Sequence, residues 1–401
     1  MKAVILAAGP SERLHPFTET RSKPMIHVAG RPLLEHMTRA LVRAGITDLL
    51  IVVNHGQEVL KRYFEHGRRH GMTIDYIYQE PVDGIGPALR RCEERLQNDP
   101  FLLIYGDILT TGDPYSQVLS RYTETGGAVA ALALPSASGE FGNVYLDQDM
   151  RIVEFVEKPD NPHLSNYVFA GIYLLPPRIF SLLEQHGNSI EAAYQALIQS
   201  GEFYATQWDG AWIDISRPWH ILDANRMIME RWEHAEIHQS VTMESGVHIE
   251  GAVHIEPDVS IGAGSVLKGP CYIGQGSTIG NNTLIREFTA LGPGSVVGYG
   301  TELKNCVLFG RSTLGRLSFI GDSVIGEAVH LGTGVTTVNL NPDQRPVSVT
   351  TGEGTLDTGM AKLGSFIGDR VFIGARHVLE PGTRIKSGAM VADLITLKSI
   401  I

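Results

Sequence analysis

Residues 253–285 read VHIEPDVSIGAGSVLKGPCYIGQGSTIGNNTLI, and this stretch decides the fold of the second half of the chain. An aliphatic residue recurs at every sixth position, and a small or β-branched residue stands two places before it. The aliphatic series extends in both directions and comprises Ile249, Ile255, Ile261, Leu267, Ile273, Ile279, Ile285, Leu291, Val297 and Leu303. A six-residue period of this kind is typical of a parallel β-helix, in which each side of a prism is a short strand.

The six-residue period is interrupted towards the C-terminus. Its phase slips after Leu303, returns at Leu314 and is regular again from Ile367 to Val391. Residues 333–362 do not follow the period, so we predict that they form a loop inserted into one coil. On this interpretation the β-helix domain spans residues 239–401.

The first half of the chain has a different pattern, in which short apolar runs alternate with amphipathic stretches. The strand-like runs are residues 2–8, 49–53, 74–78, 102–105 and 129–134, and the helical stretches are residues 31–44, 59–68 and 87–96. This alternation predicts an α/β domain over residues 1–215, with a mostly parallel sheet covered on both faces. An apolar stripe at helical spacing predicts one linker helix over residues 216–238.

The composition limits the class of protein. The 401 residues are 43% hydrophobic and 19% charged, with a formal net charge of −11 at pH 7, which is typical of a globular chain. No basic patch stands out, and no apolar run approaches the roughly 20 residues that span a bilayer. The three cysteines form neither a metal-binding spacing nor a disulfide framework. We therefore expect a cytoplasmic protein with neither a nucleic-acid nor a membrane partner.

A glycine-containing loop directly follows the first predicted strand. Residues 6–14 read LAAGPSERL, and backbone amides in such a loop can bind phosphate oxygens. Arg13 and Lys23 then supply positive charge where a transferred phosphoryl group needs it. The alternative interpretation is an ordinary strand–turn–helix junction with a surface arginine.

Two carboxylates follow short strand-like segments elsewhere in the first half. Asp107 closes the sequence Tyr105-Gly106-Asp107, and Asp214 lies in Trp212-Ile213-Asp214. The carboxyl ends of strands in an open α/β sheet are where ligands bind. Two carboxylates with substrate phosphates are the usual ligands of Mg²⁺, so the pattern predicts a magnesium site formed by Asp107 and Asp214.

These residues carry a family resemblance that covers almost the whole chain. The first half resembles the sugar-1-phosphate nucleotidylyltransferases, and the matching pieces are LAAGPSERLHPFTETRSKPM at 6–25, the Gln79…Gly84 spacing, YGD at 105–107, EKP at 157–159, AGIY at 170–173 and WID at 212–214. With its hexapeptide half, the chain is similar to archaeal bifunctional nucleotidylyltransferase/acetyltransferases and to glucose-1-phosphate thymidylyltransferases with a β-helix tail. The resemblance implies a Rossmann-like nucleotidyltransferase domain followed by a left-handed parallel β-helix.

The resemblance also implies a role for individual residues. Arg13, Lys23 and Asp107 would be catalytic, with Lys23 holding the reacting phosphates, and Asp107 and Asp214 would be the Mg²⁺ ligands. The implied substrate-binding residues are Ala8 and Gly9 in the phosphate loop, Gln79 and Gly84 at a pyrimidine base, and Gly142, Glu157 and Lys158 at the sugar and its phosphate.

The reaction implied by the resemblance is attack by a sugar-1-phosphate oxygen on the α-phosphorus of UTP or dTTP, with release of pyrophosphate. The acceptor would be glucose-1-phosphate or N-acetylglucosamine-1-phosphate. Phe169 stands where many relatives have an asparagine that helps to recognise the sugar, which leaves the choice of sugar open. Ile85 could contact a thymine methyl group or could serve packing alone.

The second half departs from relatives that acetylate glucosamine-1-phosphate. Arg316 occupies the position of their histidine base, Phe319 replaces an aromatic hydroxyl, and His330 replaces an asparagine of the sugar pocket, whereas Asn339 and Lys362 are kept. An arginine cannot serve as a general base at neutral pH. We therefore expect the β-helix to serve mainly assembly, as a homotrimer. The alternatives are a bifunctional enzyme, with His330 as a replacement base, and a regulatory subunit that binds nucleotide sugars without turnover.

Overall fold

The computed structural model describes residues 1–9, 11–54, 57–134, 142–156 and 167–392. The chain divides into two compact units, and each consists of more than one segment. The N-terminal unit comprises residues 1–10, 22–25 and 33–214, and the C-terminal unit comprises residues 11–21, 26–32 and 215–401. The structure therefore differs from a single boundary at residue 215, because two short early segments pack within the C-terminal unit.

The N-terminal unit is built on a nine-stranded sheet whose main path runs β10-β9-β11-β6-β1-β4-β5, with β8 and β12 attached through β11. Strands β1, β4, β5 and β6 run parallel, whereas β11 is antiparallel to β6. The first thirteen strands of the chain are β1 (Lys2–Leu6), β2 (His27–Val28), β3 (Arg31–Pro32), β4 (Asp48–Val53), β5 (Thr73–Tyr78), β6 (Phe101–Tyr105), β7 (Ile108–Thr110), β8 (Ala128–Ala133), β9 (Asn143–Leu146), β10 (Ile152–Val156), β11 (Val168–Leu175), β12 (Phe203–Gln207) and β13 (Trp212–Asp214).

The central strands of this sheet are buried on both faces. Ala3, Val4 and Ile5 are consecutive in β1, so their side chains alternate between the faces, and all three are fully buried. The covering helices are α1 (Leu33–Arg43), α2 (Glu58–Phe64), α3 (Ile85–Arg90), α4 (Glu93–Leu96), α5 (Pro114–Thr125), α6 (Ile179–Gln185) and α7 (Ile190–Gln199). The predicted α/β domain is confirmed, but the sheet is mixed rather than mostly parallel. Strand β11 pairs antiparallel with β6, β8 and β9, and β10 pairs antiparallel with β9.

The C-terminal unit contains three parallel sheets of eight, eight and seven strands. The first contains β14 (Glu236–Ile237), β17 (Val253–Ile255), β20 (Cys271–Ile273), β23 (Thr289–Leu291), β26 (Val307–Gly310), β29 (Val324–Glu327), β34 (Phe366–Ile367) and β37 (Arg384–Ile385). The second contains β15 (Thr242–Met243), β18 (Ser260–Ile261), β21 (Thr278–Ile279), β24 (Val296–Val297), β27 (Thr313–Leu314), β30 (His330–Leu331), β35 (Phe372–Ile373) and β38 (Met390–Val391). The third contains β16 (His248–Glu250), β19 (Val266–Lys268), β22 (Leu284–Ile285), β25 (Glu302–Lys304), β28 (Phe319–Gly321), β31 (Thr336–Thr337) and β36 (Val378–Leu379).

The six-residue period of the sequence forms the core of these sheets. Ile255 pairs with Ile273, Ile261 with Ile279 and Leu267 with Ile285, and these residues belong to one buried cluster. Hydrogen-bonded partners in successive coils lie 18 residues apart in this region, as in Thr283 and Ser265. The predicted parallel β-helix is confirmed, and the arrangement is consistent with the left-handed form.

The phase slip has a simple structural origin, because the coils between Leu291 and Thr336 are one residue shorter. Leu291 pairs with Leu308, and Val329 bonds to Ser312 across a separation of 17 residues. The last coil returns to 18 residues, as in the pairing of Ile367 with Ile385.

The inserted segment also differs from prediction. Residues 336–337 still form β31 of a regular coil, and the insertion contains an antiparallel hairpin of β32 (Ser348–Thr351) and β33 (Gly354–Asp357) rather than a loop alone.

The linker helix is shorter than the predicted range of residues 216–238. Helix α8 spans His220–Met229, and Trp232 lies beyond its end, where its ring stacks on His254 with centroids 3.7 Å apart. Glu236 and Ile237 form the first strand of the β-helix by pairing with β17. Pairing with the β-helix thus replaces the helical conformation that the apolar stripe favoured.

Residues 11–21, which we call the anchored segment, pack against the β-helix within the C-terminal unit. The Phe17 ring is fully buried and meets the rings of Phe309 and Phe366 edge to face at centroid distances of 5.2 and 6.5 Å. Arg21 donates to the buried Asp369 carboxylate at 2.5 Å. An apolar contact and a buried ion pair therefore fix this segment to the β-helix.

Within the described ranges, no helix combines the length and apolar character that crossing a membrane requires.

Candidate active site

The loop after β1 opens at the carboxyl edge of the sheet. The parallel neighbours β4 and β6 end beside it, and Ala7 donates from its backbone to Val52 at 2.9 Å. Asn54 donates from Nδ2 to the Ala8 carbonyl at 3.0 Å, which holds the loop in place. Within the described part of the chain, a Cβ built on Gly9 would meet no atom within 4 Å.

Asp107 reaches the same edge because Gly106 permits a close backbone approach. A Cβ on Gly106 would stand 2.4 Å from the Leu6 carbonyl oxygen, a distance that no side chain can adopt. The Gly106 N–H donates to that same oxygen at 2.9 Å. Glycine therefore allows β6 to turn directly beside the end of β1, and this turn carries Asp107.

Lys23 brings the two predicted metal ligands together. Strand β13 pairs antiparallel with β7 and places Asp214 opposite Ile108, the residue after Asp107. The Lys23 Nζ lies 2.9 Å from Asp107 Oδ2 and 3.6 Å from Asp214 Oδ1. The lysine side chain is 15% exposed, against 37% for Asp107 and 22% for Asp214. Both carboxylates thus face one partly desolvated cationic centre.

The residues present fit a magnesium ion that is completed by substrate. Oxygen donors are the ligands that Mg²⁺ prefers, and one or two protein carboxylates plus phosphate oxygens are usual. Among the described residues, no group of three or more His, Cys, Asp or Glu side chains could hold a metal by itself. Asp107 and Asp214 would therefore supply two ligands and leave the remaining positions to phosphates and water.

A cavity of about 270 Å³ adjoins the two carboxylates within the N-terminal unit. Asp107, Asp214 and the predicted sugar-binding residue Gly142 contribute to its wall, together with Glu191 at the start of α7. Most of the remaining wall is aromatic or aliphatic: Ile85, Tyr105, Ile108, Phe155, Val168, Phe169, Tyr173, Ile190, Tyr194 and Trp212. A concave cleft with a mainly apolar wall and a few polar groups is typical of a small-molecule site.

Two tyrosines of this cavity, Tyr105 and Tyr194, remain uncharged at neutral pH. Desolvation raises the pKa of Tyr105 to about 12, although hydrogen bonds to Tyr173 and Tyr194 act in the opposite direction. Desolvation also holds the pKa of Tyr194 well above its usual value. Neutral phenols can both donate and accept, so they are suited to sugar hydroxyl groups.

Gln79 and Gly84 lie together in the loop after β5. The buried Gln79 side chain donates from Nε2 to the Gly84 carbonyl at 2.8 Å and to Asp83 Oδ1 at 3.0 Å. Its Oε1 accepts no hydrogen bond from any residue that the structure describes. Gly84 has a φ of +118°, which L side chains rarely adopt, and it directly precedes α3. The two hydrogen bonds from Nε2 therefore fix the orientation of the Gln79 side-chain amide.

Arg13 has a partner that the sequence did not indicate. It belongs to the C-terminal unit, where its Nε donates at 2.8 Å to Glu353 in the turn of the inserted hairpin. Arg217 donates to the other oxygen of Glu353 at 3.0 Å. Of the remaining predicted residues, Glu157 and Lys158 lie outside the described part of the chain.

No motif in the sequence indicated Glu353, Arg217 or several residues of the cavity wall. Trp212 stood in a quoted motif, and Phe169 was noted as a departure from relatives. Tyr105 and Tyr173 also stood in quoted motifs. Phe155, Tyr194 and Glu191 belong to ordinary strand and helix patterns, so no local signal marked those three residues. Only the packing of β11 and α7 beside β7 and β13 brings them to one space.

The comparisons with known proteins place the chain in a family. The nucleotidyl transferase family model matches residues 2–231, and the model of the GMPPB C-terminal domain matches residues 267–353. The chain belongs to the nucleotidyl transferase family, and it is an enzyme of that class.

Two archaeal relatives match almost the whole chain. The bifunctional protein GlmU of Methanocaldococcus jannaschii is 33% identical over 98% of this chain and 93% of its own length. The bifunctional sugar-1-phosphate nucleotidylyltransferase/acetyltransferase of Sulfurisphaera tokodaii is 32% identical over 98% of this chain and 96% of its own length.

A solved structure from Bacillus anthracis, described as a candidate glucose-1-phosphate thymidylyltransferase, is 26% identical. It covers 56% of this chain and 93% of its own, with a TM-score of 0.53. Together, these matches confirm the resemblance to sugar-1-phosphate nucleotidylyltransferases that carry a C-terminal β-helix.

Replacing Asp107 with asparagine tests the carboxylate pair. We expect Asp107→Asn to lower kcat for nucleotidyl transfer by on the order of 100-fold, because a lost anionic metal ligand removes stabilisation of several kcal/mol. The measurement is pyrophosphate release at saturating Mg²⁺. Asp75→Asn is a matched control, because Asp75 is an exposed carboxylate in an ion pair on β5. If Asp107→Asn turned over at nearly the rate of the control, Asp107 would not be a metal ligand in the reaction.

Proposed function

We propose that the chain transfers a nucleotidyl group from UTP or dTTP to glucose-1-phosphate or N-acetylglucosamine-1-phosphate in the presence of Mg²⁺. The observation that carries this proposal is the contact of Lys23 with both Asp107 and Asp214 beside a mainly apolar cavity. The bond from the α-phosphorus to the pyrophosphate breaks as a bond to the sugar-phosphate oxygen forms. Pyrophosphate and a nucleotide-activated sugar are the products.

The residues act by positioning and by charge, and no covalent enzyme intermediate is needed. Asp107 and Asp214 would hold Mg²⁺, which neutralises the phosphate charge when it is bound. The Lys23 ammonium lies where it can transfer its contact from the carboxylates to the phosphate oxygens. The resemblance assigns the triphosphate to the backbone of Ala8 and Gly9 and gives Arg13 the role of a further positive charge for it.

The fixed orientation of the Gln79 amide favours binding of a nucleobase that has a ring N–H donor. Because Nε2 is engaged inside the loop, the side chain presents Oε1, which is an acceptor. Uracil and thymine carry an N3–H that can donate to it, whereas adenine and cytosine present an acceptor at the equivalent ring position. Guanine, which has an N1–H, is the competing base.

The cavity supports a hexose as the acceptor. Sugar rings expose C–H groups on their faces, and these pack well on aromatic side chains such as Phe155, Phe169 and Trp212. Glu191 and the neutral tyrosines provide partners for hydroxyl groups. The resemblance adds Glu157 and Lys158 at the sugar and its phosphate.

A panel of substrates tests this proposal. We expect kcat/KM for pyrophosphate release with UTP or dTTP to exceed that with ATP and CTP by at least about tenfold, because one unmatched hydrogen bond costs roughly 1–3 kcal/mol. Glucose-1-phosphate and N-acetylglucosamine-1-phosphate are the acceptors, and GTP is included as a further triphosphate. A preference for ATP or CTP would contradict the role of Gln79. A preference for GTP would identify guanine, and not uracil or thymine, as the base of the substrate.

Acetyl transfer is the competing second activity, because the two archaeal relatives are described as bifunctional. Arg316 is exposed, and the His330 ring stacks on Phe372 of the next coil with centroids 4.9 Å apart. Asn339 donates at 2.5 Å to the buried Asp322. These contacts favour structural roles for His330 and Asn339.

We therefore expect little thiol release from acetyl-CoA with glucosamine-1-phosphate. A positioned base typically contributes about 10²–10⁴-fold, and Arg316 cannot supply it. The measurement compares the wild type with His330→Ala. Robust wild-type activity that this substitution abolishes would make His330 the base, and robust activity in both would place the acetyl site elsewhere.

The homotrimer is also a proposal, supported by the repeated faces of a β-helix, which closed cyclic symmetry can bury. Light scattering measures the molar mass directly, and a monomer at micromolar concentration would contradict the trimer.

A further inference from the structure

Strand β11 contains a β-bulge where it passes the cavity. Phe169 pairs with Leu132 of β8 and Tyr173 pairs with Ala130, so β11 has two more residues than β8 over this stretch. The extra residues fall within residues 170–172, which we call the β11 bulge. The AGIY sequence at 170–173, which is part of the family resemblance, contains it. Bulges are frequent next to active sites, where they redirect backbone and side-chain groups.

The first residue of the β11 bulge is bonded to the strand that carries Asp214. The Trp212 indole donates from Nε1 to the Ala170 carbonyl at 2.9 Å. Trp212 and Asp214 are two residues apart in β13, so their side chains lie on the same face of that strand, and both line the cavity. The indole hydrogen bond therefore fixes the face of β13 that presents Asp214.

Strand β13 gains little stability from its own sheet. It has three residues and forms a two-stranded sheet with β7, which also has three. Two short paired strands are marginally stable by themselves. The position of Asp214 therefore depends on contacts outside this pair, and the bond from Trp212 to the nine-stranded sheet is such a contact.

The second residue of the β11 bulge packs on the turn that carries Asp107. Gly171 has a φ of +74°, and a Cβ built on it would stand 3.1 Å from Ile108 Cγ2 and 3.3 Å from Tyr105 Cβ. Tyr105 and Ile108 flank the turn of Gly106 and Asp107. A side chain at position 171 would be strained by its backbone conformation and would press on this turn.

Adjacent residues of one bulge thus contact the segments that carry the two carboxylates. Ala170 bonds to β13, and Gly171 lies against the turn of Asp107. The bulge itself is held firmly, because Ala170 and Ile172 are fully buried. Two carboxylates that share one Mg²⁺ must each place an oxygen about 2.0–2.1 Å from it, so a small change in their separation weakens binding.

We propose that the β11 bulge sets the spacing of Asp107 and Asp214, and that Trp212 and Gly171 are positioning residues for the divalent metal ion. This inference rests on the proposed role of the two carboxylates as metal ligands. All of these residues belong to the N-terminal unit. The inference also gives the AGIY and WID sequences a common purpose, because one supplies the bulge and the other is bonded to it.

The first test removes the indole N–H and keeps an aromatic ring. We expect Trp212→Phe to raise the Kd for Mn²⁺ by roughly tenfold, because loss of a group that orients a metal ligand typically costs about 10–100-fold in metal affinity. The full-length protein is saturated with a non-hydrolysable analogue of the triphosphate that the substrate panel selects, and electron paramagnetic resonance measures free Mn²⁺. No sugar phosphate is present, so the part that Trp212 plays in the cavity wall does not affect the result.

Trp232→Phe is the matched control for this substitution. Trp232 belongs to the C-terminal unit, where its ring stacks on His254. We expect the Mn²⁺ affinity of Trp232→Phe to equal that of the wild type.

The second test adds one methyl group at the bulge. We expect Gly171→Ala to raise the Kd for Mn²⁺ several-fold, because the methyl group would displace the turn of Asp107. Gly201→Ala is the matched control. Gly201 has a φ of +69°, and a Cβ built on it would meet no described atom within 4 Å. Both variants carry the backbone strain of a positive φ, but only Gly171→Ala should weaken metal binding.

A double-mutant cycle identifies the route of the effect. In an Asp214→Asn background, Trp212→Phe should cause no further loss of Mn²⁺ affinity, because its effect passes through Asp214. Circular dichroism checks the fold of each variant, and if Trp212→Phe does not fold, the two glycine variants decide the question.

Several outcomes would overturn the inference. Wild-type Mn²⁺ affinity in Trp212→Phe and Gly171→Ala would do so, and so would an equal loss when Trp212→Phe is added to Asp214→Asn. A loss in Gly201→Ala as large as that in Gly171→Ala would assign the effect to backbone strain. These results would leave the proposed reaction intact. If Asp107→Asn alone left the Mn²⁺ affinity unchanged, the proposed metal pair and this inference would fail together.

Discussion

The contact of one ammonium group with two carboxylates is the constraint on which the site depends. Lys23 lies between Asp107 and Asp214, so like charges can share a partly desolvated edge of the sheet. Neighbouring elements of the fold bring the two carboxylates together. Gly106 lets β6 turn against the end of β1, and the pairing of β13 with β7 places Asp214 beside that turn. The same turn and strand form part of the cavity wall, so both carboxylates also face the cavity.

The β-helix adds a second constraint, because it holds a segment of the first thirty residues. The Phe17 ring and the Arg21–Asp369 ion pair fix residues 11–21 to coils that are more than 280 residues away in sequence. Breaking one partner of a buried ion pair typically costs about 3–5 kcal/mol, so this attachment is strong. The glycine-containing loop at residues 6–14 is therefore divided between the two units. Its first part, with Gly9, continues β1, and its second part, with Arg13, is built on the β-helix.

The features that depend on the regular spacing of apolar residues along the chain could be predicted from the sequence. Regular spacing from Ile249 to Leu303 located the β-helix core, and alternating runs located the α/β domain. Features set by distant contacts escaped prediction. The apolar stripe through Trp232 favoured a longer helix, but stacking on His254 and pairing of β14 with β17 ended it. Glu353 lies in a polar turn without any motif, so its partnership with Arg13 is visible only in the folded chain. The site carboxylates were predicted because short motifs carry them, whereas the aromatic cavity wall comes from several elements.

The central claim is that Asp107 and Asp214 bind one divalent metal ion and that Lys23 serves the phosphates. Co-crystals with Mn²⁺, a non-hydrolysable triphosphate analogue and the sugar-1-phosphate test it most directly, because anomalous scattering locates the metal. The account predicts an anomalous peak within about 2.0–2.5 Å of an oxygen of each carboxylate, with Lys23 Nζ moved onto a phosphate oxygen. A peak elsewhere, or Lys23 still seated between the two carboxylates with the analogue bound, would contradict it.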